Sequence, residues 1–300
     1  MQLLLAGSSG FLGTHLTDAL RADGHGITRL VRRPPTAADE VRWDPAEGTV
    51  PQEVVDAADV VINLCGSPTA GNPHSRRWAS ELRTSRVDAT RTIAHAVAEA
   101  HQRDAGRPAL LNGSAVGFYG DHGTALVAET GSSNGGSLMT SVVREWEAAT
   151  TVARHAGARV CLLRTAPVMD RGSAPLKQLL PLFKLGLGAR LGGGSQYFPM
   201  VSLRDWIGGV RHLVGSGLAG PVNLCCPMTP TNTEFTEALA DAVGRRARLA
   251  VPAKVLETAA GKVSPELLGS LRVTPLALRS SGYAFADHDV RDVIASALRG

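Results

Sequence analysis

Apolar residues along this chain form short uninterrupted runs that alternate with stretches of helical spacing. The first run, from Leu3 to Ala6, is flanked by glycine and too short for a helix, so it predicts a buried strand. Similar runs recur with helical stretches between them, which indicates a parallel sheet covered by helices on both faces. Further strands are predicted at 27–31, 41–44, 59–65, 108–112, 158–165 and 221–224. Helices are predicted at 11–23, 51–57, 75–100 (with a break near 83–85), 138–155 and 205–214.

The sequence loses this regular alternation after Met169. Helices are predicted at 174–185, 233–243, 252–261 and 275–281 and from residue 289, with a short strand at 248–251. A glycine-rich segment, 186–197, is too irregular for a repeat. Since no low-complexity linker separates the two halves, we expect two lobes of one unit with a substrate cleft between them.

Three glycines follow the first strand in the pattern Gly7-x-x-Gly10-x-x-Gly13, and a helical stretch begins at Phe11. In such a turn the first glycine permits the tight bend and the second lets the backbone approach a pyrophosphate. The third lets the helix pack closely on the strand. The free N–H groups and the positive dipole end of the helix then face the phosphates. The pattern therefore predicts dinucleotide binding; the alternative is a glycine-rich turn that binds no ligand.

The second strand runs into Arg32-Arg33-Pro34-Pro35. NAD-binding folds of this kind have an acidic residue about 20 residues after the glycine turn, which bonds the ribose 2′-hydroxyl. Two guanidinium groups occupy that place here, and their planar fork of N–H donors matches a 2′-phosphate. The sequence therefore favours NADP over NAD, unless the two arginines only extend from a loop into solvent.

Composition and charge exclude several other kinds of function. The 300 residues carry a formal net charge of only +4 and no lysine- or arginine-rich block, so nucleic acid is not expected as a partner. No apolar run reaches about 18 residues and the chain starts with a strand, so we expect a cytoplasmic protein without a membrane partner. The four cysteines lack C-x-x-C spacing and the histidines form no ligand pair, so no metal site is predicted. The sequence leaves a homodimer open.

Several motifs occur in order along the chain: the glycine turn, Ser114-Ala-Val-Gly-Phe-Tyr119-Gly, Arg144-Glu-Trp146-Glu-Ala-Ala, Arg164-Thr and Gly220-Pro-Val-Asn223. With them the chain resembles the atypical extended short-chain dehydrogenase/reductases of the NAD(P)-dependent epimerase family. The stretch Val273-Thr-Pro275-Leu-Ala-Leu-Arg-Ser-Ser-Gly282-Tyr-Ala-Phe285 resembles that group's small C-terminal domain of unknown function. The resemblance covers essentially the whole chain.

The resemblance implies an α/β fold: a Rossmann domain, with a doubly wound parallel sheet, that binds NADP(H), and a smaller C-terminal α/β lobe that closes over a small-molecule substrate. We place the Rossmann domain at 1–168, with 201–225 returning to it, and the substrate lobe at 169–300. Position by position, the resemblance implies that the pyrophosphate is lined by Gly7, Gly10, Phe11, Leu12 and Gly13. It implies Arg32 and Arg33 at the adenosine phosphate, Trp43 and Asp44 at the adenine, Leu64, Cys65 and Gly66 at the ribose, and Ser114, Pro167 and Val168 near the nicotinamide. Arg86, counted with the cofactor-binding residues, falls where many extended members carry an active-site asparagine.

The chain lacks the acid–base pair that is usual in this superfamily. That pair is a tyrosine with a lysine four residues later, accompanied by a serine that orients the carbonyl. The fourth residues after Tyr119, Tyr197 and Tyr283 are Gly123, Val201 and Asp287. The segment in which the pair would fall, 137–143, contains neither residue type.

Ser114 and Tyr119 are the candidate catalytic residues in place of that pair. Both follow the fifth strand, whose carboxyl end enters the cleft, and an exposed Tyr119 hydroxyl there could donate a proton. The alternatives are a turn serine that bonds local backbone and a tyrosine that only packs. Glu129 is expected to cap or pair locally, and Glu147 to be structural.

Three functions remain open on this basis. We favour an NADP(H)-dependent oxidoreductase or epimerase acting on a small carbonyl or hydroxyl compound, because the two-lobe architecture is retained. The others are a non-catalytic NADP(H)-binding sensor or partner-binding protein, and a non-redox cyclase, isomerase or dehydratase. The apolar run Tyr197-Phe198-Pro199-Met200 lies where relatives tend to carry a tryptophan and a histidine, and it predicts a substrate more apolar than a nucleotide sugar.

Overall fold

A computed structural model describes residues 1–69 and 71–299 of the protein. Its strands are β1 (Gln2–Ala6), β2 (Gly26–Val31), β3 (Glu40–Arg42), β4 (Val60–Asn63), β5 (Ala109–Ala115), β6 (Leu126–Val127), β7 (Val160–Thr165), β8 (Val168–Met169), β9 (Ala189–Leu191), β10 (Val201–Ser202), β11 (Gly220–Leu224), β12 (Leu249–Val251) and β13 (Arg272–Val273). Its α-helices are α1 (Phe11–Ala22), α2 (Gln52–Asp56), α3 (Arg76–Arg103), α4 (Leu138–Ala148), α5 (Thr151–His155), α6 (Ala174–Lys184), α7 (Leu203–Gly215), α8 (Asn232–Ala242), α9 (Ala253–Ala260), α10 (Ser264–Leu268), α11 (Leu276–Ser280) and α12 (Val290–Arg299). Single turns of 3-10 helix lie at Val116–Phe118 and Gly261–Val263.

Seven strands form one parallel sheet in the order β11-β7-β5-β4-β1-β2-β3. The central strand β4 reads Val-Val-Ile-Asn and is buried at every position, as expected for a parallel strand with helices on both faces. The strand order reverses between β1 and β4, so their carboxyl ends open a crevice of the kind in which such sheets bind ligands. The predicted doubly wound α/β fold is therefore confirmed. The outermost strand, β11, comes from the second half of the chain, while the division into lobes at residue 168 stays a prediction.

Successive residues of β1 enter two different cores. Leu3 and Leu5 pack into the core on the side of α1 and α7, whereas Leu4 and Ala6 pack into the core on the side of α2, α3 and α5. This is the two-residue alternation of a strand with both faces covered. Both faces hold β1 in place, so the position of its carboxyl end, where the crevice opens, is fixed.

The C-terminal half packs around a core of its own. Its centre is formed by α6, α8 and α12, with Phe183, Phe235 and Ile294 buried among them. The paired strands β9 and β12 lie in this half, and the pair β6 and β13 joins the two halves of the chain. The C-terminal half is thereby held against the carboxyl edge of the sheet.

Asp205 fixes the closing segment of the chain to the start of α7. Its carboxylate is 2% exposed and accepts hydrogen bonds from the N–H groups of Ala286 (2.9 Å) and Asp287 (2.8 Å) and from the Tyr283 hydroxyl (2.9 Å). A buried carboxylate is tolerated only when donors satisfy its oxygens. The segment 283–287 is therefore held in place by hydrogen bonds as well as by packing.

The break predicted in the long helix at 83–85 is wrong, because α3 runs without interruption from Arg76 to Arg103. Ser85 is accommodated within the helix. Its hydroxyl donates to the Leu82 carbonyl one turn earlier (3.4 Å), a bond that is compatible with a helical backbone. The same hydroxyl oxygen accepts the N–H of Ser67 at 2.9 Å, which attaches the loop after β4 to the helix.

The helix predicted at 138–155 is in fact two helices, α4 and α5. The Thr150 hydroxyl donates to the carbonyl of Glu147 at 2.7 Å, and this side-chain bond accompanies the end of α4. None of the helices in the described residues is both long and apolar enough to span a membrane.

We expect Asp205→Asn to lower the free energy of unfolding by about 1–3 kcal/mol, because the amide NH₂ group would face N–H donors and leave one of them buried without an acceptor. Urea denaturation followed by circular dichroism measures this change. Asp241→Asn, the same substitution at an exposed site on α8, serves as the control and should leave stability unchanged. Equal stability of the two variants would contradict the anchoring role.

Candidate functional site

The turn after β1 requires glycine at two of its three glycine positions, because backbone atoms there leave no room for a Cβ atom. Gly7 has a φ of +85°, and a Cβ atom there would lie 2.7 Å from the carbonyl carbon of Leu64. A Cβ atom at Gly13 would lie 2.1 Å from the carbonyl oxygen of Gly7. Gly7 therefore lets the turn bend close to the segment after β4, and Gly13 lets helix α1 pack on the turn, as predicted for these two glycines.

Gly10 differs, because the space beside it is open. A Cβ atom there would meet no atom nearer than the Gly7 carbonyl oxygen at 3.4 Å, and its φ of −75° suits any residue. Gly10 is the N-cap of α1 and offers no side-chain cap. The N–H groups of Phe11, Leu12 and Gly13 thus lack intrahelical acceptors. An anion at this place would bond them and meet the positive end of the helix dipole.

A buried guanidinium group lies behind the adjoining wall of the crevice. Arg86 donates to the carbonyl oxygens of Leu82 and Ser67, each at 3.0 Å, and packs on the Trp146 ring with its Cζ 5.3 Å from the ring centre. A Cβ atom at Gly66 would lie only 2.9 Å from that Cζ. Burial lowers the pKa of Arg86 to about 10, so the group stays positively charged at neutral pH. No carboxylate forms an ion pair with it within residues 1–69 and 71–299, so its charge is available to an anion in the crevice.

The two arginines after β2 have different surroundings. Arg33 forms a bidentate ion pair with Glu40, with N···O distances of 2.6 and 2.8 Å. This pairing, together with the N–H of Thr36, lowers the pKa of Glu40 to about 2. Arg32 is exposed and has no hydrogen-bond partner in the described part of the chain. Burial raises the pKa of the Cys65 thiol to about 12, and the nearby charge of Arg32 acts in the opposite direction.

Arg32 and Arg33 are therefore not equivalent, although the sequence suggested the same role for both. The strand β3 begins with a carboxylate, Glu40, which holds Arg33 at 2.6 Å and lies 3.3 Å from Arg29. Arg32, at the edge of the crevice near Cys65, is the arginine that is free to meet a phosphate.

Trp43 and Asp44, which were expected at the adenine, follow β3 at the outer edge of the sheet. The Trp43 side chain is buried in the core, and Asp44 Oδ1 accepts the N–H groups of Ala46 (2.9 Å) and Glu47 (3.3 Å) in a turn. Both border a surface cavity of about 460 Å³, whose other lining residues are Arg42, Thr49, Val50 and Pro51. The two residues therefore form part of the wall of this cavity, while the Trp43 side chain packs in the core and the Asp44 carboxylate bonds its own turn.

The remaining residues expected at the cofactor lie at the carboxyl ends of two sheet strands. Leu64, Cys65 and Gly66 follow β4, and Pro167 and Val168 follow β7. Since β1, β4 and β7 are parallel, these segments and the glycine turn lie at the same edge of the sheet.

Ser114 is buried, and its hydroxyl proton is engaged. The residue is 4% exposed and donates to Oε1 of Glu147 at 2.6 Å. Arg164, its neighbour on β7, donates to both oxygens of the same carboxylate at 2.8 and 2.9 Å. Because the Ser114 proton points into the protein, its predicted role as a catalytic donor is not supported, while Glu147 has the structural role expected of it.

The prediction that the Tyr119 hydroxyl enters the cleft is wrong. Tyr119 is 0% exposed, and its hydroxyl donates to Oδ1 of Asn223 on β11 at 2.8 Å. Burial raises the pKa of this tyrosine. Glu129 does not pair locally as expected but accepts the backbone N–H groups of Asn223 and Ala277, each at 3.1 Å. Tyr119 and Glu129 thus join distant segments of the fold.

Sequence reasoning missed Glu266 of α10, which reaches the sheet lobe from the C-terminal half. Its Oε1 accepts a hydrogen bond from the Ser137 hydroxyl at 2.8 Å. Burial raises the pKa of this carboxyl, and the bond from Ser137 offsets part of the effect. No motif marks the residue, because its partner lies 129 positions away along the chain. The one available signal is a single acid within the otherwise uncharged segment Ser264-Pro-Glu-Leu-Leu268.

The chemistry available at this edge of the sheet therefore includes anion binding and the chemistry of a carboxyl group. In residues 1–69 and 71–299, no group of three or more His, Cys, Asp or Glu side chains is placed to hold a metal ion. The site offers free backbone N–H groups, an exposed and a buried guanidinium, and the carboxyl of Glu266.

Two family models match the chain. Residues 3–169 match the NAD dependent epimerase/dehydratase family, and residues 251–297 match a domain of unknown function, DUF1731. The first match contains the glycine turn, both arginines after β2, and β5. The second contains α10 with Glu266.

Relatives and solved structures match over nearly the whole chain. Epimerase family protein Mb2239 of Mycobacterium bovis is 39% identical over 295 residues, which cover 98% of this chain and 96% of the relative. Epimerase family protein SDR39U1 of Homo sapiens is 31% identical over 292 residues, with 95% and 96% covered. The crystal structure of human SDR39U1 (isoform 2) with NADPH matches with a TM-score of 0.86 at 28% identity, covering 99% of each chain. A nucleoside-diphosphate sugar epimerase from Corynebacterium glutamicum matches with a TM-score of 0.78 at 30% identity, covering 99% of this chain and 58% of the other.

Because the first family model spans more than half of the chain and these relatives match almost all of it, the protein belongs to the NAD dependent epimerase/dehydratase family.

Proposed function

We propose that this protein is an NADP(H)-dependent oxidoreductase or epimerase that acts on a small carbonyl or hydroxyl compound. The observation that carries the proposal is the open space at Gly10, beside the free N–H groups at the start of α1. Arg32 lies at the edge of the same crevice, near Cys65. The human relative whose structure was solved with NADPH supports the choice of cofactor.

The residues of the crevice fit a dinucleotide phosphate. We assign the pyrophosphate to the turn formed by Gly7, Gly10, Phe11, Leu12 and Gly13, and the 2′-phosphate to Arg32. We assign the adenine side to Trp43 and Asp44, the ribose to Leu64, Cys65 and Gly66, and the nicotinamide end to Arg86, Ser114, Pro167 and Val168. Arg33 acts through its ion pair with Glu40, which holds the loop after β2 in place.

A bound nicotinamide supplies or accepts a hydride at one ring carbon. The protein's own part is to bind the cofactor and the substrate, to orient them and to provide charge beside them. The buried guanidinium of Arg86 lies behind Gly66 without a neutralising carboxylate, so it favours negative charge in the crevice, whether on a phosphate or on a substrate oxygen. Ser114 and Tyr119 instead stiffen the floor of the site through their buried hydrogen bonds.

One observation favours a second function, that of a non-catalytic NADP(H)-binding protein. The hydroxyls of Ser114 and Tyr119 both donate into the interior, and the segment 137–143 holds no tyrosine or lysine. We favour the enzyme because the carboxyl of Glu266 reaches the same edge of the sheet.

Turnover of carbonyl compounds separates the two functions. The purified protein is given NADPH and a panel of small aldehydes and ketones of increasing apolar surface, and the nicotinamide absorbance is followed. We expect oxidation of NADPH with at least one apolar member of the panel. Binding of NADPH without turnover of any member would favour the binding protein, and failure to bind NADPH would contradict both.

We expect Gly10→Ala to weaken NADPH binding by about 10- to 100-fold while the fold is retained. The added methyl group meets no close protein atom, but it fills the space that brings a pyrophosphate to the N–H groups of α1. Quenching of protein fluorescence by NADPH measures the affinity, and thermal melting measures the fold.

Two further substitutions act as controls for this experiment. Gly217→Ala adds the same methyl group at an exposed, open position and should change neither quantity. Gly13→Ala places its Cβ against the Gly7 carbonyl and should lower the melting temperature itself. If Gly10→Ala bound NADPH as tightly as the wild type, the pyrophosphate would not lie at this turn.

Arg32→Ala is expected to lower the affinity for NADPH by about 10- to 100-fold and to leave the affinity for NADH nearly unchanged. The reason is that a charge-assisted hydrogen bond to the 2′-phosphate contributes about 1.5–3 kcal/mol. Isothermal titration calorimetry with both cofactors measures the ratio. Arg33→Ala should instead lower the melting temperature, because Glu40 would lose its bidentate partner and keep Arg29 at 3.3 Å. A larger change of the cofactor ratio in Arg33→Ala than in Arg32→Ala would overturn the assignment.

A further inference from the structure

Glu266 extends from the C-terminal half to the start of α4. It lies on α10, and its Oε1 accepts a hydrogen bond from the Ser137 hydroxyl at 2.8 Å. Ser137 is the N-cap of α4, since its Oγ accepts the N–H of Thr140 at 3.1 Å. One carboxylate oxygen is therefore held at a defined point of the sheet lobe.

The second oxygen lies over the turn that follows β5. A Cβ atom at Gly117 in this turn would lie 3.8 Å from Oε2 of Glu266, 3.9 Å from Cβ of Met139 and 4.0 Å from Cγ2 of Val143. These groups thus border one small space at the carboxyl end of β5. Met139 and Val143 belong to the segment 137–143, in which the usual tyrosine and lysine would fall. The carboxyl of Glu266 accordingly lies beside the segment from which that pair is missing.

The surroundings of Glu266 favour its protonated form. Met139 and Val143 are apolar, the residue is only partly exposed, and burial raises the pKa of the carboxyl. The hydrogen bond from Ser137 acts in the opposite direction and is the smaller effect. A raised pKa makes a carboxyl a better proton donor than an ordinary glutamate side chain.

No charged neighbour in the described residues forms an ion pair with this carboxyl. On α4, Arg144 donates to Ser133 and to the Gly135 carbonyl, and Glu145 pairs with Arg83. On the elements packed next to α10, the charged or titratable side chains are Lys254, Glu257, Lys262, and, from the loops, His74 and Asp121. None of the basic groups among these forms an ion pair with Glu266, so no fixed cation nearby stabilises its carboxylate form.

We propose that Glu266 is the acid–base catalyst of this protein, in place of the missing tyrosine and lysine. This proposal rests on the proposed oxidoreductase function. In the direction of reduction, the O–H bond of the protonated carboxyl breaks with its electron pair left on Glu266, and a new O–H bond forms at the oxygen of the substrate carbonyl. The accompanying hydride, which bonds to the carbonyl carbon, comes from a reduced nicotinamide, so that carbonyl, hydride and proton together give the alcohol. In the direction of oxidation, the Glu266 carboxylate takes the hydroxyl proton.

A purely structural role makes a different prediction. A carboxylate that only caps the start of α4 would be stabilised in its charged form by the helix dipole and by the Ser137 hydroxyl. It would then titrate at or below the ordinary value for glutamate, and its removal would change stability without any special effect on proton transfer.

The protonation of Glu266 is measured in the protein without cofactor, by ¹³C NMR of the glutamate side-chain carboxyl carbons. Glu266→Gln identifies the signal. We expect it to titrate above the ordinary glutamate value of about 4.3, and Ser137→Ala to raise the pKa further by removing a bond that stabilises the carboxylate. A signal that titrates at or below the ordinary value overturns the proposal.

The pH dependence of stability gives a second measurement. Because the pKa of Glu266 is raised in the folded protein, its ionisation costs stability as the pH rises from the unfolded value through the folded one. Glutamine does not ionise, so Glu266→Gln avoids this loss. The melting temperature of the variant minus that of the wild type is therefore expected to be larger at pH 8 than at pH 4. The same difference at both pH values would contradict a raised pKa.

Catalysis is tested with NADPH and a carbonyl compound that the wild type reduces. Glu266→Gln is expected to bind NADPH as the wild type does but to reduce the carbonyl at least about 100-fold more slowly, as for the loss of a general acid. Glu257→Gln, the same substitution at an exposed site on α9, should change neither quantity. If the wild type turns over and Glu266→Gln is equally active, the role of Glu266 is overturned while the proposed function is supported. If the wild type neither binds NADPH nor turns over, the proposed function fails, and the proposal for Glu266 fails with it.

Discussion

Backbone segments lie so close together around the turn after β1 that a methyl group at Gly7 would collide with Leu64, and one at Gly13 with the carbonyl of Gly7. This close approach fixes the start of the helix at the carboxyl edge of the sheet, beside the residue that follows β4. The placement of the free N–H groups of the helix and of the open space at Gly10 depends on it. The anion-binding character of the crevice is thus a property of backbone packing, to which side chains add selectivity.

A second constraint is the satisfaction of buried polar groups below the crevice. Ser114 and Arg164 share the carboxylate of Glu147, while Tyr119 bonds Asn223. A buried polar group without a partner costs about 1–3 kcal/mol, so these networks stabilise the ends of β5, β7 and β11 in one arrangement. The same bonds remove the Ser114 and Tyr119 protons from the crevice. Our proposal therefore takes the proton donor from the C-terminal half of the chain, as Glu266.

The sequence predicted the sheet strands and the glycine turn well, because both follow from local patterns. Runs of apolar residues mark β1 and β4, and the steric roles of Gly7 and Gly13 follow from their spacing between strand and helix. The surroundings of individual side chains depend on distant partners. The carboxylate that holds Arg33 lies on β3, and the acceptor of the Tyr119 hydroxyl lies 104 residues away. Glu266 and Ser137 are 129 residues apart, so no local pattern could have paired them.

A crystal structure of the protein with NADP(H) bound is the most direct test, since it locates every part of the cofactor relative to Gly10, Arg32 and Glu266. The account predicts the pyrophosphate beside Gly10 at the start of α1, the 2′-phosphate on the guanidinium of Arg32, and the nicotinamide within reach of the space below the Glu266 carboxyl. A pyrophosphate bound away from the glycine turn would contradict the cofactor site. A nicotinamide whose reactive face is separated from Glu266 by other parts of the protein would contradict the assigned chemistry.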